Sequence, residues 1–139
     1  LWLLNLQEAA FAVGFATNVL AIRCSWVIVT AANCQKGSGG GYESDIGLPA
    51  AALKITGPVK YYETKADSGN MLSRGFCPEC GASLFGKTSA VPDLVMITAG
   101  SLDDPSLYKP TLDIFTASAQ PWDHMNPALA KFPKMPPMG

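Results

Sequence analysis

The most regular feature of the chain is a series of short β-branched and apolar runs, separated by turn residues. We predict strands at residues 53–56, 59–64, 71–76, 82–85, 94–98 and 111–116, which are rich in Val, Ile, Leu, Thr, Tyr and Phe. Clusters of Gly, Pro, Asn and Asp lie between them. Because the spacing is short and no long helical period occurs, the pattern predicts a mainly β protein with a mostly antiparallel sheet.

The other segments carry weaker patterns. Residues 1–34 are apolar without clean alternation, so the pattern does not separate helix from strand there. Residues 36–42 read Lys-Gly-Ser-Gly-Gly-Gly-Tyr and predict a flexible loop beside a site, since the signature of a phosphate-binding loop is missing. Residues 49–53 predict a short helical turn, and the Pro-rich tail from Pro121 is predicted to be irregular.

Length and charge limit the classes of protein to consider. A chain of 139 residues fits one domain, which we place at residues 1–139. The 10 Lys and Arg and 11 Asp and Glu give a formal charge of -1, so no nucleic-acid partner is expected. The apolar run between Glu8 and Arg23 has 14 residues, whereas a membrane span needs roughly 20. We therefore expect a soluble, cytoplasmic protein with no membrane partner.

Spacing distinguishes the four cysteines, Cys24, Cys34, Cys77 and Cys80. The segment Cys77-Pro-Glu-Cys80-Gly places two thiols on one tight turn, which is typical of half of a tetrahedral zinc site. A redox C-x-x-C pair is the alternative, but such pairs normally open a helix after a strand. For Cys24, a small buried apolar residue and a repositioned ligand are both considered, and the first is favoured.

Four segments, in this order along the chain, resemble the glutathione-dependent formaldehyde-activating enzyme family, which includes centromere protein V. Residues 34–39, Cys-Gln-Lys-Gly-Ser-Gly, are similar to the end of the family's C-H-C-x-x-C-Q-x-x-S-G motif. The knuckle at residues 77–81, the Gly-Ser-Leu-Asp-Asp-Pro of residues 100–105 and residues 110–122, which include the Thr-Ala-Ser-Ala-Gln-Pro-Trp of residues 116–122, complete the match. The resemblance is clearest over residues 34–137.

This resemblance implies an Mss4-like antiparallel β-sheet (β-tent) fold that binds Zn²⁺. It also implies a carbon–sulfur lyase that adds a glutathione-like thiol to formaldehyde or another aldehyde, or catalyses the reverse reaction. The site residues it implies are Cys34 for catalysis and metal binding, Cys77 and Cys80 for metal binding, and Gln35, Ser38 and Gly39 for substrate binding.

The chain departs from the family at the other ligand positions. Counted back from Cys34, the first two cysteines of the family motif fall on Val29 and Ala31, with Thr30 in place of the histidine. An early C-x-C pair should lie near Leu4 and Leu6. Either the chain has lost both complete zinc sites and kept the fold, or residues 1–33 were assigned imperfectly.

Other polar and aromatic residues are given structural interpretations. His124 is predicted to be an exposed surface residue, Asp103 and Asp104 a turn opener, and Arg74 a solvated strand residue rather than a partner of a substrate carboxylate. Core packing is the default for the aromatic residues Tyr61, Tyr62, Phe115 and Trp122. A non-catalytic zinc-binding or interaction module on the same fold is the alternative to the enzyme.

Overall fold

A computed structural model describes residues 26–53, 55, 58–66, 68–102 and 104–136. The strands are β1 (Trp26–Val29), β2 (Glu43–Pro49), β3 (Lys60–Lys65), β4 (Met71–Phe76), β5 (Ser83–Thr88), β6 (Leu94–Thr98), β7 (Leu112–Ile114) and β8 (Ala130–Phe132). Helix α1 (Ala32–Ser38) follows β1. Single 3-10 turns are η1 (Ala50–Ala52), η2 (Ala99–Ser101), η3 (Pro105–Leu107) and η4 (Thr116–Ser118).

These strands form one sheet in the order β3-β4-β5-β6-β2-β1-β7-β8. All pairings from β3 to β1 in that order are antiparallel. Strand β7 lies parallel to β1 and to β8. The mainly β, mostly antiparallel class predicted from the sequence is therefore confirmed, with a small parallel part at one end of the sheet.

Alternation along β1 and β2 places two apolar clusters on opposite faces of the sheet. Ile46 and Leu48 of β2 belong to the larger cluster, which also contains the fully buried Phe85. Val27 and Val29 of β1 form the smaller cluster with Ile114 of β7. Because Val27 pairs with Asp45 and Val29 with Glu43, the face with the smaller cluster also carries two carboxylates.

Several predicted elements match the observed ones. Strands β4 and β6 have the predicted bounds, and η1 is the predicted helical turn. The predicted strand at residues 53–56 lies partly outside the described residues, and a single bridge at Ile55 is all that the described part contains. The run predicted at residues 111–116 is shorter, because it ends in η4.

Other expectations were wrong. Residues 36–38 belong to helix α1 rather than to a loop, and the Pro-rich tail contains strand β8. Tyr61 and Tyr62 lie on the edge strand β3 and are 46% and 62% exposed, and Trp122 is 62% exposed, so none of the three is a core residue. No helix among the described residues has the length and apolar character needed to cross a membrane.

Candidate functional site

Helix α1 positions Cys34 against the smaller apolar cluster. The helix begins after Ala31, which provides no side-chain cap, and ends at Gly39, whose φ of 75° is the left-handed conformation that glycine adopts without strain. Cys34 is partly buried and packs against the cluster of Val27, Val29 and Ile114. The predicted catalytic thiol therefore lies on the same face of the sheet as Glu43 and Asp45.

Burial and negative charge hold Cys34 in its thiol form. The pKa of Cys34 is raised to about 12, first by burial and then by the carboxylates of Glu43 and Asp45. A hydrogen bond and the positive charge of Arg74 oppose this rise. Near neutral pH the Cys34 thiol is thus protonated and is not itself a nucleophile.

Asp45 is the most unusual group on this face. Its side chain is 5% exposed, and its Oδ1 atom is buried without a hydrogen-bond partner. Burial, together with the charge of Glu43, raises the pKa of Asp45 to about 8 despite the opposing charge of Arg74. A buried carboxyl with a pKa near neutrality can exchange protons with a bound molecule.

Arg74 joins strand β4 to helix α1. Its Nη1 atom lies 3.3 Å from Oε2 of Glu43, and its Nη2 atom donates to the carbonyl oxygen of Asn33 over 3.0 Å. The guanidinium also lies against Gly37, where a Cβ atom would clash with Nη1. The prediction of a solvated strand residue was wrong, because the side chain is only 24% exposed and holds the helix that carries Cys34.

The three predicted substrate-binding residues lie next to one another on α1 and its C-cap. Gln35 donates through Nε2 to the carbonyl oxygens of Thr30 and Ser118, each over 2.8 Å. Ser38 donates to the carbonyl oxygen of Tyr42 over 2.8 Å. Their side chains thus connect α1 to the neighbouring loops, and contact with a substrate stays a prediction.

The knuckle between β4 and β5 has the geometry expected of a turn whose cysteines bind a metal ion. Cys77 is 3% exposed, Cys80 is exposed, and both are free thiols. Gly81 adopts a φ of 75° and donates to the carbonyl oxygen of Cys77 over 2.8 Å, which closes the turn. Backbone hydrogen bonds from Cys80 and Glu79 lower the pKa of Cys77, as is needed for a metal-ligating thiolate.

A complete zinc site is not formed by the residues that the structure describes, which contain no cluster of three or more suitable ligands. Cys77 and Cys80 fit half of a tetrahedral site. At the family's catalytic position, Val29 is buried in the apolar cluster and Thr30 donates through Oγ1 to Asp113 over 2.8 Å, so neither fits a zinc ligand. Cys24, Leu4 and Leu6 lie outside the described residues.

The opposite face of the sheet contains a cavity of about 180 Å³. It is lined by Ile28, Tyr42, Asp113 and residues 123–126. His124 is exposed, as predicted, and belongs to the wall of this cavity. Asp104 accepts a hydrogen bond from the backbone of Ser106 at the start of η3, which is the predicted turn role, whereas Asp103 lies outside the described residues.

Sequence reasoning missed Glu43, Asp45 and Asp113. Each is an acidic residue inside a strand, and Asp45 and Asp113 are 5% and 2% exposed. Charged residues are almost never fully buried unless they are paired or functional. An acidic residue within an apolar run, such as Asp113 between Leu112 and Ile114, is the signal that would have identified them.

Comparison with known proteins agrees with the mainly β fold. A model of the family described as "Glutathione-dependent formaldehyde-activating enzyme" matches residues 18–118. Among curated proteins, no significant match was found. The matched region contains α1, the knuckle and the sheet from β1 to β7, which is well over half of the chain. The chain therefore belongs to the glutathione-dependent formaldehyde-activating enzyme family.

Proposed function

We propose that this protein is a carbon–sulfur lyase that joins a glutathione-like thiol to formaldehyde or another aldehyde, or catalyses the reverse cleavage. The observation that carries the proposal is the family match over residues 18–118. In this reaction the sulfur of the substrate thiol attacks the carbonyl carbon, and the thiol proton ends on the new hydroxyl oxygen. Because free thiols ionise near pH 8.5, about 1.5 pH units above neutral, assistance with this proton accelerates the step.

The face that carries Cys34 supplies groups for the proton transfer. Since Cys34 is protonated in the metal-free protein, and would be occupied as a ligand if zinc were bound, we assign the attacking sulfur to the substrate and not to this residue. Asp45 is assigned the proton: the fraction that is ionised near neutral pH accepts it from the substrate thiol and returns it to the oxygen of the adduct. Arg74 keeps α1 beside these groups through Glu43 and Asn33.

The turnover test follows the exchange of free and hydroxymethylated glutathione by two-dimensional exchange NMR in the presence of formaldehyde. We expect the protein to raise the exchange rate above that of the buffer, and Asp45→Asn, which removes the proposed proton acceptor, to lower it at least about tenfold. Lys65→Ala, on the exposed face of the edge strand β3, serves as the control and should keep the rate. An exchange rate equal to that of the buffer would contradict the proposal.

Zinc is proposed as the cofactor because the family is a zinc-binding one, with Cys77 and Cys80 in one site and Cys34 in another. The genetic code offers an explanation for the ligands missing beside Cys34. If residues 28–31 are encoded by ATT GTC ACT GCN, the same bases read from the third position would give TGT CAC TGC, which encodes Cys-His-Cys. Codons GCT GCN TTT GCN for residues 9–12 would likewise give Cys-x-Cys in the shifted frame, downstream of the expected position near Leu4 and Leu6.

One extra base among the codons of residues 31–33 would bring the frame back into register at Cys34 and place two codons between Cys-His-Cys and that residue. With these codons both family motifs would occur in the right order. We therefore propose imperfect assignment of the upstream residues as the explanation to test against loss of the ligands. Sequencing the gene from its source DNA across these codons, with mass analysis of the N-terminal peptides, is the test.

If sequencing confirms Val29 and Ala31, a thiolate–zinc catalytic site at Cys34 is excluded. In that case the second candidate function, a non-catalytic interaction module, is favoured by the burial of Val29 and the hydrogen bond of Thr30 to Asp113. A reversible disulfide between Cys77 and Cys80, measured by thiol titration of the metal-free protein, would instead indicate a redox function.

A further inference from the structure

Phe115 has a strained backbone at the carboxyl end of β7. Its φ of 58° and ψ of 35° are left-handed, and in the described part of the chain it is the one residue other than glycine with a positive φ. This conformation is unfavourable for a residue with a bulky side chain, because the Cβ atom crowds the backbone. Such strain persists only where the surrounding structure enforces it, and it clusters at active sites and ligand contacts.

The strained conformation determines on which face of the sheet the Phe115 ring lies. Along β7, Ile114 belongs to the smaller apolar cluster, whereas Asp113 lines the cavity on the opposite face. A strand that continued its alternation would place Phe115 on the same face as Asp113. The left-handed turn instead places the ring against the smaller cluster, which Cys34 also contacts. The ring and the predicted catalytic thiol therefore share one face.

The topology of the sheet brings Phe115 close to α1. Strands β1 and β7 are parallel neighbours, so their carboxyl ends meet at one edge of the sheet, where α1 follows β1 and η4 follows β7. Gln35 of α1 donates to the carbonyl oxygen of Ser118 in η4 over 2.8 Å. The backbone N–H of Ala117 donates to the carbonyl oxygen of Pro133 over 3.3 Å. The turn that begins at Phe115 is thus held between α1 and the segment after β8.

The same face carries an unpaired polar atom. Asp45 is 5% exposed, and its Oδ1 atom is buried without a hydrogen-bond partner. The carboxylate of Asp45 acts on the thiol of Cys34, so the two side chains lie near each other. A buried oxygen without a partner is costly in the fold, and a hydrogen bond from a bound molecule would offset that cost. An apolar ring and an unpaired acceptor together suit a ligand with an apolar part and a polar part.

We propose that Phe115 is a specificity-determining residue, whose ring limits the size of the carbon group on the sulfur of the bound thiol adduct. The inference rests on the proposed function, because the ligand is the product of that reaction. A small group on the sulfur fits beside the ring, whereas a longer carbon chain collides with it. Because the turn that begins at Phe115 is held from two sides, the ring does not withdraw freely to admit the longer chain.

Calorimetry with stable analogues of the adduct tests this proposal without turnover. The probes are S-methylglutathione and S-propylglutathione, which differ only in the length of the carbon group on sulfur, and the full chain is used as purified. One methylene in a closely fitting apolar site changes affinity by about 10–200-fold, so S-methylglutathione should bind at least about tenfold more tightly. Phe115→Ala should make the two affinities nearly equal, and Phe115→Leu should give an intermediate ratio.

Phe132→Ala is the matched control. Phe132 packs against the same apolar cluster as Phe115, but it lies on β8, which is not a neighbour of β1. The control removes the same ring from the same cluster and should keep the tenfold preference. Circular dichroism checks the fold of each variant, and Phe115→Leu, which keeps much of the apolar volume, decides the test if Phe115→Ala does not fold.

Equal binding of the two analogues by the unmodified protein, or no binding of either, would overturn the proposal. An unchanged preference in the Phe115 variants, or an equal loss of preference in Phe132→Ala, would also overturn it. The proposed lyase fails separately. A size preference that depends on Phe115, without thiol–aldehyde exchange, would support the role of the ring and contradict the lyase. Exchange combined with a preference that does not depend on Phe115 would do the reverse.

Discussion

At the scale of single residues, the environment of Cys34 determines its reactivity. Burial and the carboxylates of Glu43 and Asp45 raise its pKa to about 12, whereas Cys80 is exposed on the knuckle. In metal-free protein near neutral pH, we expect iodoacetamide to modify Cys80 at least about tenfold faster than Cys34. The rate at Cys34 should then rise as the pH approaches about 12.

Mass spectrometry of time-resolved peptide digests measures the two rates. Protein unfolded in urea is the control, and there the two cysteines should react at similar rates. Equal rates in the folded protein would show that burial does not protect the Cys34 thiol.

Asp45 makes stability depend on pH. Its pKa in the fold is about 8, above the ordinary 3.8, so the folded state favours the protonated form. The stability that this proton provides is complete below about pH 4 and is lost as the pH rises through about 8. Asp45→Asn should therefore stabilise the protein by about 1–3 kcal/mol near pH 9 and have little effect near pH 4.

Urea unfolding at the two pH values gives the difference in free energy of unfolding. Asp93→Asn is the control, because Asp93 is exposed in the turn before β6. A destabilising effect of Asp45→Asn near pH 9 would mean that the charged carboxylate is favourable in the fold.

At this scale the sequence predicted the knuckle but not the acidic residues near Cys34. The C-x-x-C spacing is local, so Cys77 and Cys80 must lie on one turn whatever the rest of the fold does. The environment of Asp45 depends on the pairing of β1 with β2 and on Arg74 from β4, which are distant in sequence. No local pattern contains that information.

At the scale of elements, the contact between α1 and β4 depends on Arg74. Its guanidinium pairs with Glu43 and binds the carbonyl oxygen of Asn33, and the two ionised side chains are 24% and 13% exposed. Arg74→Ala should lower the free energy of unfolding by about 1–3 kcal/mol, because a half-buried Glu43 is left without its partner.

Arg74→Lys should recover part of this loss, since it keeps the charge but not the forked donor. Lys65→Ala, which removes an exposed cation from β3, is the control and should change stability by less than about 0.5 kcal/mol. A loss no larger than that of the control would contradict the role given to Arg74. Urea unfolding measures all three variants.

The packing of β4 against β5 depends on a glycine in β4. A Cβ atom at Gly75 would lie 2.7 Å from the ring of Phe85, which is 1% exposed. Gly75→Ala should thus destabilise the fold by about 1–3 kcal/mol, as expected for overpacking. The control is Gly86→Ala, whose Cβ atom would meet only the Ser73 carbonyl oxygen at 3.8 Å.

Thermal unfolding followed by circular dichroism compares the two variants. The midpoint should fall by several degrees more for Gly75→Ala than for Gly86→Ala. Similar midpoints would show that the Phe85 ring is able to shift away from the added methyl group.

The secondary-structure elements that were predicted correctly are those whose sequence pattern is local, and those that were missed depend on tertiary contacts. Strands β4 and β6 were predicted with their bounds because each is a β-rich run between turn residues. Helix α1 was missed because it is only seven residues long and contains glycine, so its stability comes from packing against the sheet and from Arg74. Strand β2 was missed because Gly47 and Pro49 interrupt its sequence pattern. In the structure it is nevertheless an inner strand, paired with β6 on one side and β1 on the other.

At the scale of the whole molecule, the family match determines the fold class, whereas the chemistry depends on which zinc-ligand residues the chain contains. The match over residues 18–118 and the mainly β sheet establish the family and the fold class. The chemistry depends on a few ligands upstream of Cys34, a region where the chain and the family motif differ at Val29, Thr30 and Ala31. Fold alone does not determine activity.

The most direct test of the proposed enzyme is anomalous scattering at the zinc edge, from crystals of protein expressed from the resequenced gene. We predict about two zinc atoms per chain, one beside Cys77 and Cys80 and one beside Cys34, each with tetrahedral ligands. One zinc atom or none, with Val29 and Ala31 confirmed by the same gene, would contradict a zinc-dependent carbon–sulfur lyase and support a non-catalytic module.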